Sequence, residues 1–254
     1  MTDLTGKTVL LTGASKGIGF ETARALGASG ARVIAHFAEN EAGAIEATRD
    51  IPDAHKLLVR ADFTQPDAAT MLWREALAWH NRVDVVISNA AIMPQAGLRD
   101  SESEWDAAWA TALQVNSVAP ATLVRHAVNH FLDAGGGVLV AVSSWVAQRG
   151  AANPNLMAYA ASKAALGAMA KTVARAYAAD NVLVYLVAPG VVKTEMSLTS
   201  ARNQGGEQAV TDSLAMREWV PPGEIADLIC FLSSGVCRHL TGATLDVNGA
   251  SYMR

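Results

Sequence analysis

Tyr159 and Lys163, in the run YAASKAAL (159–166), stand four residues apart in a stretch of good helix formers. Positions i and i+4 share a helix face, so the phenol and the ammonium would project side by side, with only Ala160, Ala161 and Ser162 between them. A neighbouring positive charge favours the phenolate and lowers a pKa ordinarily near ~10, which would make the pair a general acid–base device. Taken alone, the pair reads equally as a surface tyrosine beside a solvated lysine. A second stretch, TGASKGIGF (12–20), sets Gly13, Gly17 and Gly19 between an apolar run and a helical pattern. At a strand–turn–helix junction, glycines permit a tight turn and let the backbone approach a pyrophosphate at the positive end of a helix. The spacing is G-x-x-x-G-x-G rather than the commoner G-x-G-x-x-G, and the competing reading is a merely tight turn.

Such groups need a scaffold, and the hydrophobic pattern supplies one. Runs rich in Val, Leu and Ile recur at 8–13, 31–37, 56–62, 83–91, 137–144, 182–190 and 243–249. Most are apolar at consecutive positions, as expected of strands covered on both faces. Helical patterns lie between them at 17–29, 41–50, 66–80, 103–131, 157–179 and 222–233. This alternation predicts an α/β chain: one doubly wound, Rossmann-type domain over 1–254, with a parallel sheet of about seven strands and helices on both faces. Ligands of such folds bind at the carboxyl ends of the strands. One long polar stretch, 193–219, reads as an insertion with short helices of its own, either disordered or a lid over a binding site.

Composition narrows the function classes. The chain has 254 residues, 51% of them hydrophobic, and a formal net charge of −4. That charge gives no sign of nucleic-acid or membrane-surface binding. Cys230 and Cys237 form no metal or redox spacing and suit a reducing compartment. The apolar stretch near the N-terminus is too short for a signal segment or a membrane span. The expectation is a cytoplasmic protein without a metal.

TGASKGIG followed by YAASK resembles the classical short-chain dehydrogenase/reductase family, and the resemblance covers essentially the whole chain. Further marks appear in order: SNAA (88–91), Asn116 in QVNSVAP, Ser143–Ser144, and PGVVKT (189–194). The resemblance implies an oxidoreductase that interconverts a carbonyl and a secondary alcohol by hydride transfer with NAD(P)(H). In that scheme Tyr159 is the general acid or base, and Lys163 lowers its pKa and holds the nicotinamide ribose. Ser144 holds the substrate oxygen, with Ser143 as its competitor. Ser144 precedes Tyr159 by 15 residues, a slightly longer gap than the family's usual one. Asn116, a poor choice inside a helical pattern, either ties down a kink or holds a water linking Lys163 to solvent. The implied cofactor contacts are Gly13, Ser15, Lys16, Gly17, Ile18, Gly19, His36, Asp62, Phe63, Asn89, Ala90, Ala91, Tyr159, Lys163, Pro189, Gly190, Val192 and Thr194. Ala91 stands where the family's Asn-Ala-Gly motif has glycine, narrowing the space by one methyl group. Residues 1–100 would mainly bind cofactor, and 101–254 would carry the catalytic residues and the substrate loop 193–219.

The dinucleotide is chosen after the second strand, where an acidic residue would bind the ribose hydroxyls and repel a 2′-phosphate. The sequence reads VIAHFAEN, with Phe37 at that position. Lys16 matches a basic position of NADP-preferring members, and His36 could assist; Glu39 and the lack of an arginine after the strand argue the other way. NADP(H) is favoured, with NAD(H) the alternative. Trp145, Gln148, Arg149, Asn153, Asn155 and Met157, with Glu195, Met196, Arg202, Gln204 and Trp219, suggest a small polar carbonyl or alcohol substrate. A 3-oxoacyl-(acyl-carrier-protein) reductase is the nearest alternative, weakened because 132–137 and 178–181 hold no basic docking residue. A non-catalytic sensor of the nicotinamide ratio is the alternative of another class. The resemblance implies a homotetramer, or else a homodimer.

Overall fold

The computed structural model describes residues 2–202 and 204–254. Among them, strands β1 (Thr8–Leu11), β2 (Arg32–Phe37), β3 (Lys56–Arg60), β4 (Val85–Ser88), β5 (Gly137–Val142), β6 (Val182–Pro189) and β7 (Thr244–Val247) form one sheet. Its order is β3-β2-β1-β4-β5-β6-β7, and every pairing is parallel. The helices are α1 (Gly17–Ala28), α2 (Glu41–Ala47), α3 (Ala68–His80), α4 (Glu102–Leu113), α5 (Ala119–Ala134), α6 (Val146–Arg149), α7 (Met157–Tyr177), α8 (Glu195–Arg202), α9 (Gly206–Ser213) and α10 (Pro222–Ser233). None among the described residues is long and apolar enough to cross a membrane.

The consecutive apolar runs are explained by two cores, one on each face. Leu10, Ile34, Val86, Leu139 and Val184 pack with Leu72 and Trp73 of α3, Leu123 and Phe131 of α5, and Leu166 of α7. Their sequence neighbours Val9, Leu11, Val33, Val85, Ile87, Val138, Val140 and Tyr185 point the other way, onto Ala23 and Leu26 of α1 and Ile225 and Ile229 of α10. Each buried aliphatic side chain contributes about 1.5–3 kcal/mol, so the alternation along a strand anchors helices to both faces at once. The chain winds from β1 outward to β3, then crosses to β4 on the other side of β1. That reversal opens a crevice at the carboxyl ends of β1 and β4, where the glycine loop and Asn89 lie.

Two expectations are refined. The pattern at 103–131 is not one α-helix: α4 and α5 are separated by a wide π turn, Gln114–Val118. Pro120 lacks the N–H that would bond the Asn116 carbonyl in an α-helix, and the Asn116 side chain is drawn into the interior, 0% exposed. The 193–219 stretch carries two short helices, as expected, and its described residues are folded onto the body. Ala201, Leu214 and Trp219 form a small core with Trp145, Val191 and Leu198, and Trp219 Nε1 donates to Thr211 Oγ1 (2.8 Å).

Candidate active site

The glycine loop is held open by contacts that leave bare backbone at the start of α1. Gly13 (φ 71°) and Gly17 (φ 57°) adopt left-handed conformations that favour glycine. A Cβ on Gly19 would run into the Gly13 carbonyl and the Asn89 amide. Asn89 keeps the loop in place, its Nδ2 donating to the carbonyls of Thr12 (2.9 Å) and Gly13 (3.1 Å). The Thr12 hydroxyl accepts from the backbone N–H groups of Asn89 and Ala90. Lys16, at the N-cap of α1, makes no side-chain cap bond, and the first turn holds no acidic residue. The orphan N–H groups and the positive end of that helix are therefore free for an anion. These features fit the pyrophosphate of a dinucleotide.

His36 is corrected by the structure. It lines the cleft but is 2% exposed, with Nδ1 accepting from the Gly13 N–H (3.1 Å) and Nε2 bonded to the Ala61 carbonyl (2.8 Å). An amide donor on one nitrogen and a carbonyl acceptor on the other fix the neutral Nε2–H tautomer. Burial pulls its pKa down to about 4, against the opposing pull of the Ala61 bond. It therefore cannot serve as a cation toward a phosphate at neutral pH. Its ring instead stacks on Phe63 (centroids 4.4 Å apart, 11° between planes), which also lines the cleft. Asp62 is exposed beside it, its carboxyl held below the ordinary range chiefly by the Thr64 backbone N–H.

At the other end, β5 and α7 bring Ser144, Tyr159 and Lys163 to the same cleft. Lys163 is 3% exposed and its Nζ donates to the Val142 carbonyl (2.8 Å); burial lowers its pKa to about 8. Tyr159 is half-buried, and the enclosing protein raises its phenol pKa while a hydrogen bond with Ser144 pulls it down. The Lys163 ammonium is directed to the Val142 carbonyl, and burial sets the direction of the phenol's shift. The two serines separate clearly. Ser143 Oγ donates to the Lys163 backbone carbonyl (3.3 Å), whereas Ser144 faces the phenol and accepts only a long bond from the Val146 N–H (3.4 Å).

Asn116 does not reach the cleft. Its side chain brackets the Ile92 backbone, accepting from its N–H (2.9 Å) and donating to its carbonyl (2.8 Å), and donates to Ser162 Oγ (3.0 Å). It stands behind the site and fixes the distance between the end of β4 and α7. Ser15, Ile18, Ala90, Ala91, Pro189, Gly190, Val192 and Thr194 line the cleft as expected. So do Glu39 and Met196, read from the sequence as bearing on the dinucleotide and the substrate, and Ala38, Asn40 and Ile92, which sequence reasoning did not assign. Asn40 was findable as an N-cap residue before Glu41: its Oδ1 accepts from the Gly43 N–H (3.0 Å) and its Nδ2 donates to the Ser15 carbonyl (3.3 Å). The cleft encloses ≈ 450 Å³, within the range of ligand pockets.

Comparison with known proteins agrees with this geometry. A family model described as enoyl-(acyl carrier protein) reductase matches residues 13–250. The chain is 33% identical over 257 residues to 3beta-hydroxysteroid dehydrogenase 1 of Eggerthella lenta, covering 97% of this chain and 94% of that protein. It is 33% identical over 250 residues to cis-4-hydroxycyclohexanecarboxylate dehydrogenase of Sinomonas cyclohexanicum, covering 96% and 95%. A crystal structure of a 3-oxoacyl (acyl-carrier-protein) reductase from Agrobacterium tumefaciens C58 with NADP bound superposes with a TM-score of 0.86 at 29% identity, covering 97% of this chain and 95% of that one. A glycine loop at the sheet's switch point, a Ser–Tyr–Lys group across the cleft and relatives of this kind over the full length mean that the chain belongs to the short-chain dehydrogenase/reductase family, nicotinamide-dependent oxidoreductases that interconvert carbonyls and alcohols.

Proposed function

We propose that this chain reduces a small polar ketone, or oxidises the matching secondary alcohol, with NADP(H) preferred over NAD(H). The observation that carries the reading is the convergence of Ser144, Tyr159 and Lys163 on the cleft that begins at the glycine loop. When bound, the nicotinamide supplies or accepts the hydride. The chain's own part is to place and move a proton. Ser144 donates a hydrogen bond to the substrate oxygen, and Tyr159 delivers its phenolic proton to that oxygen in reduction or removes one in oxidation. A buried phenol alone is too weak an acid for this work. Lys163, in its charged form, supplies the nearby positive charge that brings it toward working pH, and would also hold the nicotinamide ribose. Asn116 positions this group through Ser162 and Ile92. Residues 1–100 serve mainly the cofactor, and 101–254 serve catalysis and substrate.

The NADP(H) preference is supported by Phe37, buried where an NAD-binding member would present a carboxylate, and by Lys16, exposed on the cleft wall. The NADP-bound relative points the same way; Glu39 on the adjoining turn opposes it. A homotetramer, or else a homodimer, is in keeping with exposed Leu113 and Val118 beside the π turn. A cytoplasmic location is in keeping with two unpaired cysteines. The test is a tryptophan-fluorescence titration with NADPH and with NADH, then a panel of small ketones and acyl thioesters followed by nicotinamide absorbance. Tighter NADPH binding with turnover of ketones supports the reading. Turnover confined to acyl thioesters would replace it with the acyl-carrier reductase, and tight binding with no turnover of either class would leave the enzyme and the sensor both standing.

A further inference from the structure

We infer that Arg60, on the edge strand β3, is a specificity-determining residue that receives the 2′-phosphate of an NADP-type dinucleotide, acting with Lys16 from the opposite side of the turn after β2. The inference rests on the NADP(H) reading above and assigns it to a residue outside the glycine loop and outside the segment that follows β2.

The parallel register sets Arg60 directly beside Phe37. Phe37 is 4% exposed, so the position that decides between dinucleotides offers packing and no charge. Arg60 is exposed, and its Nε donates to the carbonyl of Ala38 (3.1 Å), a residue of the cleft wall. That bond pins the guanidinium over the turn at one N–H and leaves the other donors of the fork for a ligand. No ion pair among the described residues includes Arg60. Across the turn, Asn40 ties the Ser15 carbonyl to the start of α2, drawing Lys16 and Ala38 into one wall. The acidic groups facing this wall are Glu39, exposed on the turn, and Asp62, which feels the Arg60 charge but gives an oxygen to the Thr64 N–H. A dianionic phosphate between Lys16 and Arg60 would gain a point charge and a planar fork. A free 2′-hydroxyl would gain little from either.

The test is binding, read by calorimetry, of NADPH, NADH, 2′-phospho-ADP-ribose and ADP-ribose to the wild-type chain and to Arg60→Ala, Arg60→Gln and Lys16→Ala. Loss of one charge-assisted contact predicts about a 10- to 100-fold fall in affinity for the two 2′-phosphorylated ligands in Arg60→Ala. NADH and ADP-ribose affinities should be unchanged. Arg60→Gln, which keeps a donor for Ala38 but no charge, should behave like Arg60→Ala. An equal fall for all four ligands would assign Arg60 to bracing the turn and overturn the proposal, as would an unchanged NADPH-to-NADH ratio in a protein whose wild type prefers NADPH. A wild type that binds both dinucleotides equally would overturn the NADP(H) reading itself, and Arg60's role with it, before any variant is compared.

Discussion

His36→Phe separates a structural latch from a charge. Phenylalanine keeps a flat ring to stack on Phe63, though a larger one, and it leaves the Gly13 N–H and the Ala61 carbonyl without their partner. An unmet buried donor or acceptor costs about 1–3 kcal/mol, so the variant should lose about 2–6 kcal/mol at neutral pH. The wild type carries a pH dependence that the variant lacks. The folded pKa is depressed from 6.5 to about 4, so the neutral form is favoured by folding. That stability is fully present above about pH 6.5 and is lost as pH falls through about 4. The drop is worth about 3 kcal/mol in all, at about 1.4 kcal/mol per pH unit. Urea unfolding at fixed protein concentration, from about pH 7.5 to pH 4.5, should show the stability gap between wild type and variant shrinking by about 2–3 kcal/mol. His126 and His130, whose pKa values are also lowered, titrate in both proteins and cancel from the gap. A gap that stays constant across this range would refute the neutral latch.

Three further outcomes follow from the site. Tyr159→Phe should lower kcat by about 10²- to 10⁴-fold while leaving NADPH affinity, read by fluorescence, within about twofold; retained turnover would remove Tyr159 from proton transfer. Lys163→Met should abolish turnover yet leave the thermal midpoint unchanged or higher. It relieves the burial that holds the ammonium at about 8, worth about 3 kcal/mol, against about 1–3 kcal/mol for the orphaned Val142 carbonyl. The wild type should also gain stability as pH rises from about 8 toward 10.5, a gain absent from the variant. Asn116→Ala strips three bonds from a fully buried amide and should cost about 2–5 kcal/mol by urea unfolding. Asn116→Asp keeps the acceptor for the Ile92 N–H but sets a buried carboxylate oxygen against the Ile92 carbonyl, and should cost at least as much as Asn116→Ala at neutral pH.

What was legible in the sequence is what depends on pattern along the chain. Strands buried on both faces must be apolar at consecutive positions, so Val85–Ile87 and Val182–Val187 announced themselves. Tyr159 and Lys163 share a helix face by spacing alone. What was illegible depends on where a side chain points. Ser143 and Ser144 are identical in type, and only the bond from Ser143 to the Lys163 backbone distinguishes them. His36 looks like an available cation until its burial is known. The π turn had a signal in Pro120, four residues after Asn116. It was masked because proline near a helix start is also ordinary. Arg60 was out of reach for a different reason: the turn directly after β2, residues 38–40, holds no arginine, and only the β2–β3 register sets one beside Phe37.

These placements give the cleft an electrostatic gradient with a physical logic. At the inner end Lys163, 3% exposed, is desolvated to a pKa of about 8, and His36 beneath the glycine loop stays neutral. Neither projects a strong permanent charge into solvent. Lys16, exposed on the cleft wall, and Arg60, exposed and bonded to Ala38 of that wall, act where Coulombic attraction is screened beyond about 8 Å at physiological salt, steering an anionic ligand only on approach. An anionic dinucleotide would thus be oriented by its adenosine end first and would cover Lys163 last. If Lys16 and Arg60 receive the 2′-phosphate as proposed, salt should weaken the association rate of NADPH more than that of NADH. Stopped-flow quenching of tryptophan fluorescence between about 0.01 and 0.3 M salt would measure this. Equal salt slopes for the two dinucleotides would mean that the mouth does not read the 2′-phosphate, and that any preference arises deeper in the cleft.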